Sequence, residues 1–241
     1  MDFQISNVVK MTLDTTMRNI AVFSMLAALL VGAPIFLLGL LELGADPLSF
    51  GVIAAISTIV NIVATYILQG AIIHGAVNDF NGRPAQFNES LATGLRHAVA
   101  LFIIAILMTI GLALGFMLLI VPGVILAVMW AVAIPARVIE NAGVIGSFGR
   151  SRELTKGFRW KIFLLYLIII IATILIGVVV LIPAVVFSAI PGLSSLAELV
   201  LSVIATIISS VLGAVGASAL YFELRRVKEG IGAEQLASVF E

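Results

Sequence analysis

Residues 98–136 read AVALFIIAILMTIGLALGFMLLIVPGVILAVMWAVAIPA, which makes 39 consecutive residues without an Asp, Glu, Lys or Arg. A helix that crosses about 30 Å of hydrocarbon needs about 20 apolar residues, so this stretch is long enough for two. The triplet Val121-Pro122-Gly123 predicts the turn between them, because proline and glycine interrupt helices. We therefore predict spans at 98–120 and 124–139, with a re-entrant hairpin as the alternative for the short second span.

Four further apolar stretches flank this one, and Glu198 is the only charged residue within them. They predict spans at 20–41, 49–77, 162–187 and 196–222, with a turn at Ile190-Pro191-Gly192. The chain has 241 residues, 62% of them apolar and 11% charged, no cysteine and a mean hydropathy of +1.24, whereas soluble domains carry about 25% charged residues. We predict an all-α integral membrane protein whose residues 20–222 form six transmembrane helices. A disulfide scaffold, a nucleic-acid-binding module and an enzyme with a large soluble domain are excluded.

The charged residues predict the orientation of the spans. All 13 Lys and Arg residues lie at the chain ends or in the second and fourth links, whereas the opposite side carries only Glu42, Asp46 and Glu198. Because basic residues gather on the cytoplasmic side of membrane proteins, we expect both termini to be cytoplasmic. No signal peptide is expected, since Asp2 and Asp14 stand where its basic segment would lie.

The segment before the first span has the pattern of an amphipathic helix. Its apolar face comprises Ile5, Val8, Val9, Leu13, Met17 and Ile20. Residues 1–19 are therefore predicted to lie in the headgroup layer on the cytoplasmic side, or alternatively to pack on the other cytoplasmic links. Residues 223–241 are predicted to form a basic, mildly amphipathic cytoplasmic tail.

The fourth link and the start of this tail carry a dense group of cations and one tryptophan. The candidate ligands for a lipid headgroup are Arg150, Arg152, Lys156, Arg159, Trp160, Lys161, Arg225, Arg226 and Lys228. A cation near the membrane surface contributes about 1 kcal/mol to the attraction of anionic lipid, and tryptophan anchors spans at the interface. The alternative is that these cations only set the topology.

Polar side chains recur along one face of two spans. The second span carries Ser57, Asn61, Thr65 and Gln69, with His74 near its end, and the sixth carries Ser202, Thr206 and Ser209. Such residues commonly serve helix packing. The alternative is a partly hydrated cavity between these two spans that binds a neutral or zwitterionic substrate. The absence of charged residues in mid-span argues against a proton-coupled transporter or a charge-selective pore.

Small residues mark expected helix contacts. These are Gly111 and Gly115, which form a GxxxG pair, and Gly213 and Gly216. The two histidines, His74 and His97, do not form a recognisable metal motif with the nearby acidic residues. We expect no metal, no cofactor and no catalytic residue.

Two segments resemble a known family. Residues 150–160 fit the pattern R-S-x-x-L-T-K-G-x-x-W, and residues 221–230 fit Y-x-x-L-R-x-x-K-E-G. Both patterns are similar to those of the membrane domain found in front of bacterial glycerophosphoryl diester phosphodiesterases, and of stand-alone six-span inner-membrane proteins. The resemblance covers residues 91–230.

The resemblance implies a location in the bacterial inner membrane and a role near phospholipids. It implies no catalytic residue, because the phosphodiesterase activity of that family belongs to a soluble barrel, which we do not expect in this chain. We expect a non-enzymatic protein with a structural or accessory role, whose partners are membrane phospholipids and further copies of itself, and not nucleic acid. The alternative is a transporter or channel that uses the cavity between the second and sixth spans.

Overall fold

The computed structural model describes residues 2–188 and 194–230, and these residues form helices without strands. The helices are α1 (Ile5–Arg18), α2 (Ile20–Ala27), a π-helical turn (Ala28–Gly32), α3 (Ala33–Leu43), α4 (Pro47–Phe80), α5 (Phe87–Leu118), α6 (Ile120–Met129), α7 (Ala133–Glu140), α8 (Val144–Thr155), α9 (Arg159–Ser188) and α10 (Ser194–Glu229). The turn predicted at 190–192 and residues 231–241 of the predicted tail lie outside the described residues.

Six helical segments are long and apolar enough to cross a membrane. They are Ile20–Leu43, Ser49–Phe80, Phe87–Leu118, Ile120–Glu140, Arg159–Val179 and Ser195–Glu229. The prediction of an all-α membrane protein with six such helices is therefore confirmed. Most segments extend beyond the predicted spans, because polar residues at their ends continue the helix after the uncharged stretch has stopped.

The first span changes its helical geometry because of Pro34. Proline lacks an N–H group, and its ring clashes with the carbonyl four residues earlier in a regular helix. The π-helical turn Ala28–Gly32 widens the backbone immediately before this point, and Pro34 then lies in the first turn of α3. Insertions of this kind are a common way to bend a helix without ending it.

The turn between the third and fourth spans lies at Leu119, so the turn predicted at Val121-Pro122-Gly123 is wrong. Leu119 is extended, with φ −166° and ψ 157°, and α6 begins at the next residue. Pro122 fits the first turn of α6, because the N–H groups of a first helical turn have no intrahelical partner. Gly123 lets α6 pack closely along α5, since a Cβ at this position would lie 2.5 Å from the ring of Phe116.

The fourth span is not the single helix predicted at 124–139. α6 ends at Met129 and α7 begins at Ala133, because Pro135 supplies no N–H to the preceding turn. The hydroxyl of Ser151 on α8 repairs the broken backbone. It donates to the Met129 carbonyl at 2.9 Å and accepts from the Val132 N–H at 3.2 Å.

Glycines allow the closest helix contacts. A Cβ on Gly94 of α5 would lie 2.4 Å from the Ile67 carbonyl oxygen of α4, and a Cβ on Gly111 would lie 2.4 Å from the ring of Trp130. Gly115 packs on Gly123, so the GxxxG pair of α5 faces α6 of the same chain. Gly213, by contrast, has no neighbouring atom within 4 Å of an added Cβ. The expectation of a helix contact at Gly213 is therefore wrong.

The N-terminal residues and the last turns of α10 pack on the helical bundle. Phe3 and Val8, each 2% exposed, join a core cluster with residues of α4, α9 and α10. The ring of Phe3 also lies 5.7 Å from that of Phe158 in the fourth link, whereas Leu13 and Met17 of the predicted apolar face are 54% and 69% exposed. The boundary predicted after Phe222 does not exist in the structure, because α10 continues to Glu229 and buries Glu223, Leu224 and Arg225.

Candidate functional site

The N-terminus of α1, helix α8, the start of α9 and the end of α10 meet at one end of the bundle. This end carries the cations that the sequence marks as candidate headgroup ligands. The Lys161 ammonium donates to Asp2 at 2.7 Å, and the backbone N–H of Gln4 donates to Glu223 at 3.3 Å. We refer to it as the basic end.

A network of five side chains ties α7, α8 and α10 together. Arg150 donates to Glu140 at 2.8 Å and to Glu229, and Arg225 donates to Glu229 at 2.8 Å. The hydroxyl of Tyr221 donates to Glu140. Burial lowers the pKa of Arg150, but the hydrogen bonds to Glu229 and Glu140 outweigh burial and hold that pKa above its ordinary value. We call these five residues the clamp.

Three further candidate ligands are also engaged within the protein. Arg226 donates to Glu223 at 2.9 Å, and Lys228 donates to the carbonyl of Glu153. The hydrogen bond from Lys161 holds the pKa of Asp2 below its usual range. These cations, like Arg150 and Arg225, therefore stabilise the basic end and are less available to a lipid.

The remaining candidate headgroup ligands are Arg152, Lys156, Arg159 and Trp160. In the part of the chain that the structure describes, the three cations form no ion pair. Arg152 and Lys156 are exposed, whereas Arg159 is half-buried and its Nε is buried without a hydrogen-bond partner. Trp160 is 70% exposed and stacks on Phe163 with ring centroids 5.3 Å apart. This group of four we call the free cationic patch.

A cavity of about 410 Å³ opens beside this patch, between α6 and α9. Its lining is Ile120, Val121, Val124, Ile125, Val128, Arg159, Trp160 and Phe163. All of these side chains except Arg159 are apolar or aromatic. An apolar cavity with one cation at its edge suits a molecule that has an anionic group at the end of a hydrocarbon chain.

The residues that carry the family resemblance serve the architecture in most cases. Arg150, Tyr221 and Arg225 belong to the clamp, and Ser151 bonds the broken backbone between α6 and α7. Gly157 has a φ of +93°, which L side chains rarely adopt, so it fits the turn that follows α8. Only Lys156 and Trp160 of the two patterns lie in the free cationic patch.

Asn61 and Thr65 of the second span and Ser209 of the sixth span line separate cavities among the described residues. Ser57 on α4 donates to Glu42 on α3 at 2.7 Å. Asn61 and Thr65 line a cavity of about 480 Å³ between α4 and α5. Ala64, which lies close to Asn61 on α4, belongs to a core cluster with Val211, Ala214 and Val215 of α10, so apolar side chains pack between these two helices.

The remaining residues of the two polar faces have separate surroundings. Ser202 is exposed and Thr206 is half-buried, and their hydroxyls donate to carbonyls of their own helix at 2.7 and 2.8 Å. Ser209 and the glycines Gly213 and Gly216 line a crevice of about 200 Å³ between α1, α9 and α10. Gln69 is half-buried. The amide of Asn78 lies 3.3 Å from His74 Nε2.

Sequence reasoning missed a second polar contact at the basic end. Asp79, at the end of α4, accepts hydrogen bonds from Thr15 at 2.6 Å, from Arg18 at 2.6 Å and from Asn19 at 2.9 Å. This contact fixes the bend between α1 and α2 to α4, and the hydrogen bond to Asp79 raises the pKa of Arg18. No pattern in the sequence indicates it, because Asp79 lies 64 positions from Thr15.

The fold and the basic end together define a multi-pass helical membrane protein. Comparisons with protein-family models, curated proteins and solved structures find no match for this chain. The resemblance to the membrane domain of glycerophosphoryl diester phosphodiesterases therefore stays a prediction.

Proposed function

We propose that this protein is a non-enzymatic, lipid-associated protein of the bacterial inner membrane with a structural or accessory role, and that it binds anionic phospholipid at the basic end. The observation that carries the proposal is Arg159, a half-buried cation with an unpartnered Nε at the edge of the apolar cavity. The phosphate of the lipid would pair with Arg159. One acyl chain would occupy the cavity between α6 and α9.

The charge of the basic end supports this proposal. Segments 140–161 and 221–230 contain eight Lys and Arg residues but only four Glu residues. The four carboxylates pair with Arg150, Arg225 and Arg226, so the free cationic patch keeps its charge for an external anion. Each such cation contributes about 1 kcal/mol near an anionic surface.

The same pairing supports a role without catalysis. A general base at this site would need a carboxylate or imidazole close to the bound headgroup. In residues 140–161 and 221–229, which the structure describes, each carboxylate is already paired with an arginine. We therefore propose binding and positioning of lipid as the role of the site.

Native mass spectrometry of protein released from nanodiscs tests this proposal. The nanodiscs contain phosphatidylglycerol and phosphatidylethanolamine in equal amounts, and the variants are Arg159→Gln and, as a matched control, Arg96→Gln. Arg96 is an exposed cation on α5 outside the basic end. We expect wild type and Arg96→Gln to retain phosphatidylglycerol and Arg159→Gln to lose it. Equal retention by all three proteins would refute the site.

A second candidate function, transport of a neutral or zwitterionic molecule, is favoured by one observation. Asn61 Oδ1 is buried without a hydrogen-bond partner beside the cavity between α4 and α5, which Thr65, Tyr66 and Thr109 also line. An unpaired buried acceptor is costly unless a ligand or water satisfies it. Asn61→Leu is expected to leave the protein equally or more stable. Loss of solute flux in proteoliposomes at unchanged stability would support transport, whereas unchanged flux would reject it.

A further inference from the structure

We infer that the turn between α5 and α6 lies inside the hydrocarbon layer of the membrane, where acyl chains and not water surround it. The exposed fractions at this turn are 48% for Phe116, 85% for Met117, 75% for Leu118, 69% for Leu119, 74% for Ile120 and 65% for Val121. Six consecutive exposed apolar residues are expected in contact with lipid and unusual in contact with water.

The first link of the same protein has the opposite composition. It connects α3 to α4 and carries Glu42 and Asp46, and the hydroxyl of Ser49 donates to Asp46 at 2.6 Å. A turn that faces water is expected to contain such groups. The turn at Leu119 contains none between Gly111 and Gly123, so its chemistry does not match a water-exposed link.

The residue that connects α5 and α6 has both of its backbone groups bonded within the hairpin. In hydrocarbon, each backbone polar group needs a partner within the protein. The connection is one residue long, and both of its groups are bonded. The N–H of Leu119 donates to the Gly115 carbonyl at 3.2 Å, and the carbonyl of Leu119 accepts from Gly123 at 3.4 Å. Pro122 supplies no N–H that would need a partner.

The position of the turn relative to the basic end supports the same inference. Ile120 and Val121 line the same cavity of about 410 Å³ as Arg159 and Trp160 at the start of α9. A turn on the far membrane surface would be about 30 Å away from the interface on which Arg159 and Trp160 lie. The α5–α6 hairpin therefore enters from the basic end and turns within the membrane.

The length of α5 requires that the hairpin is inclined. Residues 98–118 of α5 form an uncharged helix of about 31 Å, which would reach the far surface if it stood perpendicular to the membrane. α4 and α5 touch at Gly70 and Gly94, where an added Cβ would lie 3.1 Å from the facing Cα. Further along, a cavity of about 480 Å³ that Asn61 and Ile110 border lies between the two helices.

Spin labels at single cysteines test the inference, and the chain has no native cysteine to remove. The label is placed with Leu119→Cys, with Gly44→Cys in the first link, and with Ile174→Cys on α9, which is 59% exposed. Full-length protein is reconstituted in liposomes. Collisions of each label with oxygen, which concentrates in hydrocarbon, and with a water-soluble nickel chelate are measured by power saturation.

We expect the label at position 119 to behave like the label at 174, with frequent oxygen collisions and loss of nickel-chelate collisions. The label at 44 is expected to collide with the chelate. Chelate collisions at 119 equal to those at 44 would place the turn in water and overturn the inference. Loss of collisions with both reagents would also overturn it, because protein, such as a second copy of the chain, would then cover the turn.

Discussion

At the scale of single residues, Arg150 and Arg159 show that one residue type serves two purposes at the basic end. Arg150 pairs with carboxylates of α7, α8 and α10 and holds these helices together. Arg159 lies nine positions further along the chain, and its Nε is buried without a partner at the edge of an apolar cavity. The first arginine is structural, and the second is the residue on which the proposed lipid site depends.

Loss of the clamp tests the structural role. Arg150→Ala is expected to lower the free energy of unfolding by about 2 kcal/mol, because it leaves the partly buried carboxylates of Glu140 and Glu229 without their main cation. The exposed Arg152 is the control, and Arg152→Ala is expected to change this free energy by less than about 0.5 kcal/mol. The free energy of unfolding of both variants is measured in detergent micelles. Equal losses for Arg150→Ala and Arg152→Ala would contradict the structural role of Arg150.

The sequence predicts the cationic segment, but it does not predict that Arg150 has a structural role and that Arg159 is the proposed lipid ligand. Glu140 lies 10 positions from Arg150, and Glu229 lies 79 positions away. A pairing across 79 residues depends on how α8 packs on α10, which periodicity does not contain. Arg159 Nε is buried without a hydrogen-bond partner because of how α6 packs on α9, and periodicity does not contain this information either.

At the scale of helices, prolines and glycines decide where a helix begins or ends. Whether one of these residues interrupts the helix depends on its position within the helical turn. The stretch without charges correctly predicts two apolar helices in residues 98–139. It does not predict that Pro122 lies inside α6, or that Pro135 divides the fourth span. Both prolines sit in a first helical turn, where a missing N–H costs nothing, and hydropathy does not distinguish that position from a break.

The divided fourth span depends on a hydroxyl group. Ser151→Ala removes the only hydroxyl that bonds both Met129 and Val132 among the described residues, and is expected to cost about 1–3 kcal/mol of stability. The control is Ser24→Ala on the exposed face of α2, where the hydroxyl bonds its own helix. Thermal unfolding of the two variants compares them. A loss no larger for Ser151→Ala than for Ser24→Ala would contradict the account of the break.

The contact between α4 and α5 depends on Gly94. Gly94→Ala places a methyl group 2.4 Å from the Ile67 carbonyl oxygen, so the two helices must separate, with an expected loss of about 1–3 kcal/mol. Gly213→Ala on α10 meets open space and is expected to be neutral or to stabilise by up to about 1 kcal/mol, because alanine favours helix. Equal melting temperatures for Gly94→Ala and Gly213→Ala would contradict a close contact of α4 and α5 at Gly94.

At the scale of the whole molecule, the N-terminal residues meet the last turns of α10. Asp2 and Gln4 contact Lys161 and Glu223 at the basic end, so the N-terminus lies beside the end of α10. Because basic residues gather in the cytoplasm, this end is expected to be cytoplasmic. The sequence predicts this shared side from its charges alone, since six apolar segments return the chain to where it started.

Reporter fusions test the orientation. A fluorescent protein fused before Met1 or after Glu241 is expected to fluoresce, and alkaline phosphatase at the same sites is expected to be inactive. Insertion of alkaline phosphatase at Gly44, between α3 and α4, gives the opposite expectation and serves as the control. Active phosphatase at either terminus would contradict a cytoplasmic basic end.

Photocrosslinking tests the central claim, that the basic end binds an anionic phospholipid, most directly. Full-length protein in liposomes is irradiated with phosphatidylglycerol that carries a diazirine at the end of one acyl chain, and crosslinked peptides are identified by mass spectrometry. We expect crosslinks concentrated in residues 120–128 and 159–163, which contain the lining of the cavity, and we expect Arg159→Gln to lose them. Crosslinks spread evenly over the exposed faces of α4, α5 and α9, and unchanged by Arg159→Gln, would contradict it.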